Sequence, residues 1–327
     1  MSAAGRSWRE RLPSAGQLGP AIALVAAAAF FATRSDRFLT GENLSLVLQQ
    51  VMVVGVLAIG ETLIILTAGV DLSCGMVMAL GSIVMAKLAA TAGVPVGLAV
   101  LAGVGITAGF GLVNGLLVTR LKLPPFIVTL GTLNIAFAVT QLASESQTIT
   151  DLPESMAALG NTFRVGATPV VFGVVVMVGL YLLAWFVLRE TAAGRHVYAI
   201  GNNAEATRLT GIATDRVLVG VWVSAGVLYG VAALLSIART GVGDPNAGQT
   251  ENLDAITAVV LGGTSLFGGR GTVLGTLVGA LIVGVFRNGL TLMGVTSVYQ
   301  ILVTGVLVIL AVATDQWSRR AMRLGAR

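Results

Sequence analysis

Residues 94–119 read V-P-V-G-L-A-V-L-A-G-V-G-I-T-A-G-F-G-L-V-N-G-L-L-V-T, a run of 26 residues without one charged side chain. A helix rises about 1.5 Å per residue, so roughly 20 apolar residues span the ~30 Å hydrocarbon core of a bilayer. This run therefore reads as a membrane-spanning helix. Residues 165–188, 217–238 and 295–314 are charge-free in the same way, and together the four fix the class as an all-α polytopic membrane protein. Weaker candidates lie at 18–33, 44–69, 72–92, 123–144, 255–267 and 271–292, which brings the expected number of spans to about ten. The stretch 255–267 is short for a crossing and is expected to be broken or re-entrant, as is the backbone near residue 70.

Composition agrees with that reading. Over 327 residues, 55% are hydrophobic and 11% charged, and the mean hydropathy is +0.90, which excludes an ordinary water-soluble enzyme. Glycine accounts for 42 residues, nearly twice the roughly 7% average, and it is scattered through the apolar runs where closely packed membrane helices use it. The single cysteine, Cys74, and single histidine, His196, leave no disulfide framework and no conventional metal site. No Ser-His-Asp, Cys-His or paired-carboxylate arrangement is evident, so no catalytic residue is assigned.

Basic residues set the orientation. When the first span leaves from the cytoplasm and ten crossings alternate, fourteen of the twenty Lys and Arg fall inside, among them Arg120, Lys122, Arg189, Arg195, Arg208, Arg216 and Arg270. Only Arg34, Arg37, Arg164 and Arg239 fall outside. Both termini are then cytoplasmic, with tails at 1–17 and 316–327 and one membrane domain at 18–315. The net charge of +5 is explained by arginines beside anionic lipid and calls for no nucleic acid. The basic start followed by residues 18–31 imitates a signal peptide, but the later spans mark it as a retained anchor.

Lipid gives helices no hydrophobic reason to associate, so small residues four apart are the expected contact. Gly271, Gly275 and Gly279 form such a ridge, and Gly105/Gly109, Gly111/Gly115 and Gly226/Gly230 repeat the spacing; packing within the chain is the expected use. Residues 64–75 and 259–271 share a pattern of apolar run, small-residue loop and apolar helix, either a duplicated unit or a coincidence of glycine-rich segments.

There is no G-x-x-x-x-G-K-[ST] phosphate loop, and neither lysine follows a glycine, so the chain cannot hydrolyse ATP alone. Its longest cytoplasmic connection, residues 189–216, is polar and contains R-E-T-A-A-G-R-H-V-Y-A-I-G-N-N-A-E-A-T-R-L-T-G-I. Asn202 or Asn203 is an N-cap for a short helix over 204–210, with Glu205 at its positive start and Gly211 closing its end.

The stretch G-R-H-V-Y-A-I-G-N-N-A-E-A-T-R-L-T-G-I at 194–212 resembles the cytoplasmic coupling loop of ribose-type ABC importer permeases, members of the branched-chain amino acid and monosaccharide permease family. I-I-L-T-A-G-V-D-L-S-C-G at 64–75, P-P-F-I-V-T-L-G-T at 124–132, P-N-A-G at 245–248, L-D-A-I-T-A-V-V-L-G-G-T-S-L-F-G-G-R-G at 253–271 and residues 288–290 are similar to family blocks. Departures are Ala68, where glycine is expected, Cys74, where a small or β-branched residue is expected, and Phe267, where a small residue is usual.

The resemblance implies a type II importer permease in a bacterial inner membrane. Its partners would be a second permease subunit, identical or a paralogue, two ATPase subunits that bind ATP and Mg, a periplasmic or lipid-anchored solute-binding protein, and lipid. No cofactor would be bound by this chain. Gly201, Asn202, Asn203, Ala204, Glu205, Ala206, Arg208, Leu209, Gly211 and Ile212 would dock on the ATPase, with Gly201 and Gly211 permitting turns at either end. The solute would be a monosaccharide or related polyol.

Ionisable and amide groups at membrane depth are the candidates for a translocation path. Asp71 and Asp254 are read as helix caps or solute contacts. Glu61 lines a watery path or pairs with Arg287. Lys87 snorkels outward. Asn114, Asn134 and Asn288 bridge helices or meet solute. The path set is Glu61, Asp71, Phe126, Asn134 and Asn288. Two other readings compete: a stand-alone secondary transporter or channel using Glu61 and Asp71 as proton or cation sites, and a membrane scaffold that transports nothing.

Overall fold

A computed structural model describes residues 15–166 and 168–324 of the chain. It is a helix bundle with one small hairpin. The helices are α1 (Ala15–Ala32), α2 (Gly41–Leu66), α3 (Cys74–Ala86), α4 (Val96–Thr119), α5 (Pro125–Ser144), α6 (Phe172–Glu190), α7 (Ala192–Asn202), α8 (Ala204–Leu209), α9 (Thr214–Thr240), α10 (Glu251–Leu261), α11 (Val273–Leu292) and α12 (Ser297–Leu324). A π-helical segment, Lys87–Thr91, extends α3. Among the described residues, seven helices, counting α3 with that extension, are long and apolar enough to cross a membrane. Two shorter apolar stretches, Gly19–Ala32 and Ser297–Leu307, fall below that length.

The charge-free runs form helices with adjusted ends. Pro95 stands at the N-cap of α4, because it lacks an N–H and fits the first turn, so the helix begins two residues into the 94–119 run. The run 165–188 is corrected more heavily. Its first residues belong to a hairpin of β1 (Thr162–Val165) and β2 (Thr168–Val171), paired antiparallel with Arg164 opposite Pro169, and α6 starts only at Phe172. Gly166 takes a left-handed φ of 61° at the turn, and Pro169 follows it, which breaks the helical pattern that hydropathy alone suggested. At 255–267 the helical part is α10, Glu251–Leu261, and the rest is loop. Residues 1–14 of the expected N-terminal tail lie outside the described residues; α12 continues to Leu324, past the boundary drawn at 315.

Glycine holds the helices together. A side chain on Gly279 would strike the Ala258 carbonyl and one on Gly275 the Gly262 carbonyl, so two members of the predicted ridge press α11 onto α10. Gly271 lies before the helix at a φ of 144°. Gly111 and Gly115 of α4 lie against Trp222, and Gly226 and Gly230 of α9 lie against residues 104–108. Gly105 and Gly109 meet nothing, so that pair faces outward. Polar bonds also cross between helices: Tyr181 donates to the Gly55 carbonyl at 2.9 Å, and the hydroxyls of Thr62 and Thr276 share a bond of 2.7 Å. The first gives the buried Tyr181 hydroxyl its partner, and the second adds a bond between helices to hydroxyls that also face carbonyls of their own helices.

Candidate functional site: the coupling helices and the helix breaks

The expected helix of the 189–216 connection is present as α8, capped by Asn203, whose Oδ1 accepts the Ala206 N–H at 2.9 Å. Glu205 and Arg208 pair along its exposed face at 2.6 Å. The Arg208 guanidinium holds the Glu205 carboxyl below its usual range. Gly211 ends the turn with a φ of 89°, as a left-handed closing residue should. Every α8 side chain except Thr207 is exposed, and Leu209 is 76% exposed.

A second helix, α7, precedes it and was not expected. Thr191 caps it by accepting the Gly194 N–H, and Tyr198 donates to the Gly271 carbonyl at 2.9 Å. Gly201 is corrected here. It sits inside α7 with no left-handed angle, and its lack of a side chain serves contact, not turning: a Cβ would overlap the Leu66 carbonyl and approach the Gly269 amide. The Gly269 amide itself donates to the Leu66 carbonyl at 2.9 Å. The C-terminal end of α7 thus rests on the end of α2 and on the α10–α11 loop together.

Both of those places are breaks in helices. After α2 the chain turns at Ala68, φ 63°, and runs without regular structure to α3. Asp71 controls this first break. Its Oδ1 accepts both the backbone N–H of Ser73, at 2.7 Å, and the Ser73 hydroxyl, at 2.5 Å, so it does act at the entry to α3. Its Oδ2 lies 3.3 Å from the Tyr229 hydroxyl of α9. Glu61 does not pair with Arg287; its Oε1 lies 3.3 Å from that same Tyr229 hydroxyl. Asn114 of α4 donates to the Ser73 hydroxyl at 3.3 Å. The P-N-A-G block lies against the start of α3, where Gly75 and Gly248 touch backbone to backbone, and Asn252, beyond the block, donates to the Leu72 carbonyl.

The five path candidates do not converge. Glu61 and Asp71 are buried together at 0% and 2% exposure. Phe126, 53% exposed, and Asn134, which bonds the Leu130 carbonyl of its own helix, lie on the outer face of α5. Asn288 exchanges two 2.9 Å bonds with Asn43 of α2 and so bridges helices. Asp254 caps nothing; within the first turn of α10 it pairs with Arg287 at 3.1 Å, beside a cavity of about 80 Å³ that also meets Gln300 and Thr304. Lys87 reaches the Ala143 carbonyl at 2.7 Å. Among the described residues no group of three or more His, Cys, Asp or Glu is arranged to hold a metal ion. Reading the sequence missed Tyr229, Ser73 and Tyr198; the only signal was a hydroxyl inside an apolar or polar run, which many residues share.

The chain's sequence has close parallels. It is 45% identical to the fructose import permease protein FrcC of Rhizobium meliloti over 307 residues, covering 92% of this chain and 85% of that one. It is 40% identical to the ribose import permease protein RbsC of Bacillus subtilis over 302 residues, 92% of each, and 34% identical to the D-allose transport system permease protein AlsC of Escherichia coli, 90% of each. No solved structure matches it. The family model described as branched-chain amino acid transport system / permease component matches residues 43–312, and with it the resemblance seen in the 64–75, 194–212 and 253–271 blocks holds: the chain belongs to this permease family.

Proposed function

We propose that the chain is the transmembrane subunit of an ATP-driven importer for a monosaccharide or related polyol, set in a bacterial inner membrane with about ten crossings and both termini in the cytoplasm. The observation that carries the reading is the exposed, well-capped α8 joined to α7, which rests on both helix breaks at once. A rigid partner gripping α8 would move α7, and α7 would move the ends of α2 and α10. Solute specificity follows from the sugars named for the relatives.

On this reading two ATPase subunits holding ATP and Mg dock on Gly201 to Ile212, a second permease subunit completes the path, and a periplasmic or lipid-anchored protein delivers solute. The chain supplies a gated route and no chemistry. A stand-alone carrier running on Glu61 and Asp71 is the weaker reading, since both are enclosed by protein and their bonds tie helices together.

The test is copurification followed by uptake. An ATPase should copurify with the intact chain and be lost when Glu205 and Gly211 are replaced, and a deletion strain should lose import of one sugar. Transport by this polypeptide alone in ATP-free liposomes would overturn the importer; a deletion strain that imports every sugar normally would overturn the choice of solute.

A further inference from the structure

We infer that the cavity between α10, α11 and α12 is a binding site for one neutral polyhydroxyl molecule, a monosaccharide, held by the Asp254–Arg287 pair. This deepens the importer reading and rests on it for the class of solute. The cavity measures about 80 Å³, which is room for roughly five to eight waters and so for one sugar ring. It lies toward the outer end of α11, because Arg287 stands in the later half of that helix, whereas Gly271, just before its start, is held by Tyr198 of α7 on the coupling side. A small space between helices, with apolar walls and a few fixed polar groups, is what a small-molecule site requires.

The polar groups of this wall carry unused bonding capacity. Asp254 is 5% exposed and gives Oδ2 to Arg287 at 3.1 Å, while its Oδ1 bonds nothing among the described residues. The Arg287 guanidinium uses one of its N–H groups on that carboxylate and keeps the others free among the described residues. Gln300 spends both amide hydrogens, on the Thr291 hydroxyl and the Val295 carbonyl, so its side-chain oxygen is fixed as an acceptor. The Ser297 and Thr304 hydroxyls also line the cavity and form no hydrogen bond among the described residues. The rest of the wall is apolar: Phe286, whose ring meets that of Phe31 edge to face at 5.5 Å, and aliphatic side chains of all three helices. Neighbouring sugar hydroxyls offer a donor and an acceptor side by side, which a carboxylate oxygen and a guanidinium N–H receive together. Charge decides against other ligands. Glu251 and Arg239 are near enough to act on the pair, and these four groups, two acids and two bases, sum to zero. A phosphate would meet two carboxylates and an ammonium two guanidinium groups, whereas a neutral ligand meets no net charge.

Saturation-transfer NMR on the full chain in lipid nanodiscs tests binding, with D-fructose, D-ribose and D-allose as separate probes. At least one sugar should receive saturation, and Asp254→Asn should raise the concentration that half-fills the site roughly tenfold or more, since a charge-assisted bond is lost. A cysteine reporter then locates the site. The one native thiol, Cys74, is fully buried, so in Thr304→Cys or Ser297→Cys a small neutral reagent, iodoacetamide, reads the cavity alone. Bound sugar should slow this alkylation about fivefold or more. Both cysteine variants leave the ion pair intact, so they decide the matter if Asp254→Asn fails to fold. No saturation of any of the three sugars by the unaltered chain, alkylation that no sugar slows, protection by inorganic phosphate as strong as by sugar, or sugar binding unchanged in Asp254→Asn would each overturn the proposal. Sugar protection without a copurifying ATPase would remove the importer and leave this site; copurification and normal uptake without sugar protection would remove the site and leave the importer.

Discussion

The two helix breaks, at residues 67–73 and 262–272, solve one problem with different materials. Each ends one helix and enters the next, and the two meet where the Gly269 amide bonds the Leu66 carbonyl beneath Gly201. The first is held by side chains: Asp71, Ser73, Tyr229 and Asn114 satisfy backbone and one another. The second is shaped by glycine, with Gly263, Gly268, Gly269 and Gly271 all at positive φ, and the hydroxyls of Ser265 and Thr272 accept the Phe267 and Gly275 amides. A polar network locks one arrangement and is costly to disturb; glycines let the chain pass close and turn freely at low steric cost. On that argument α7 presses on one break fastened by a buried polar network, expected to be the stiffer, and on one built around glycine turns.

Substitutions can break that contrast. Gly201→Ala strikes both joints, because its methyl group would meet the Leu66 carbonyl and the Gly269 amide; overpacking against backbone is expected to cost about 3 kcal/mol or more, read as a lower thermal midpoint together with lost uptake. Asp71→Ala acts on the stiff break alone. It strands the N–H and hydroxyl hydrogen of Ser73 and leaves the Tyr229 hydroxyl to Glu61 alone, and a loss of about 3 kcal/mol in denaturation is expected. A smaller loss would show that the first break is not the stiffer.

Other substitutions sharpen it. Ala68 holds a left-handed φ of 63° without being glycine, so Ala68→Gly should raise stability by about 1 kcal/mol and make the first break resemble the second. Thr264 in the second break has a buried hydroxyl with no partner; Thr264→Val should be neutral or stabilising by less than about 1 kcal/mol, whereas loss would reveal a hidden polar lock there. The smallest effect lies outside both breaks, at the exposed Glu205–Arg208 pair. A carboxyl held below its usual range stabilises α8 fully above that range and less as pH falls through its lowered value. The hydrogen-exchange protection of α8, taken relative to the intrinsic rate at each pH, should therefore be unchanged near neutrality, fall in acid and in high salt, and be already reduced in Glu205→Gln.

Much of this could be read in advance because it is local. An asparagine cap at 202 or 203, the Gly211 end and a ridge through Gly271, Gly275 and Gly279 follow from spacing within a few residues, and the structure keeps Asn203, Gly211 and the last two glycines of the ridge. Partnerships across the chain could not: Arg287 pairs with Asp254, 33 residues away, when Glu61 was as plausible, and Tyr229 meets Glu61 from 168 residues away. Phe126 and Asn134 were grouped with Asn288 by polarity and motif, yet α5 turns two of them outward while α11 turns the third toward α2.

The sequence by itself determined the helical membrane class, most of the long apolar helices, the cap and end of α8, and the family, because hydropathy and capping depend on neighbouring residues and on helix length. Only the tertiary structure decided that α7 joins the two breaks and that Glu61 and Asp71 share one tyrosine. Those facts depend on which helix faces come together, and a nearly uniform apolar pattern around each helix carries too little direction to specify it.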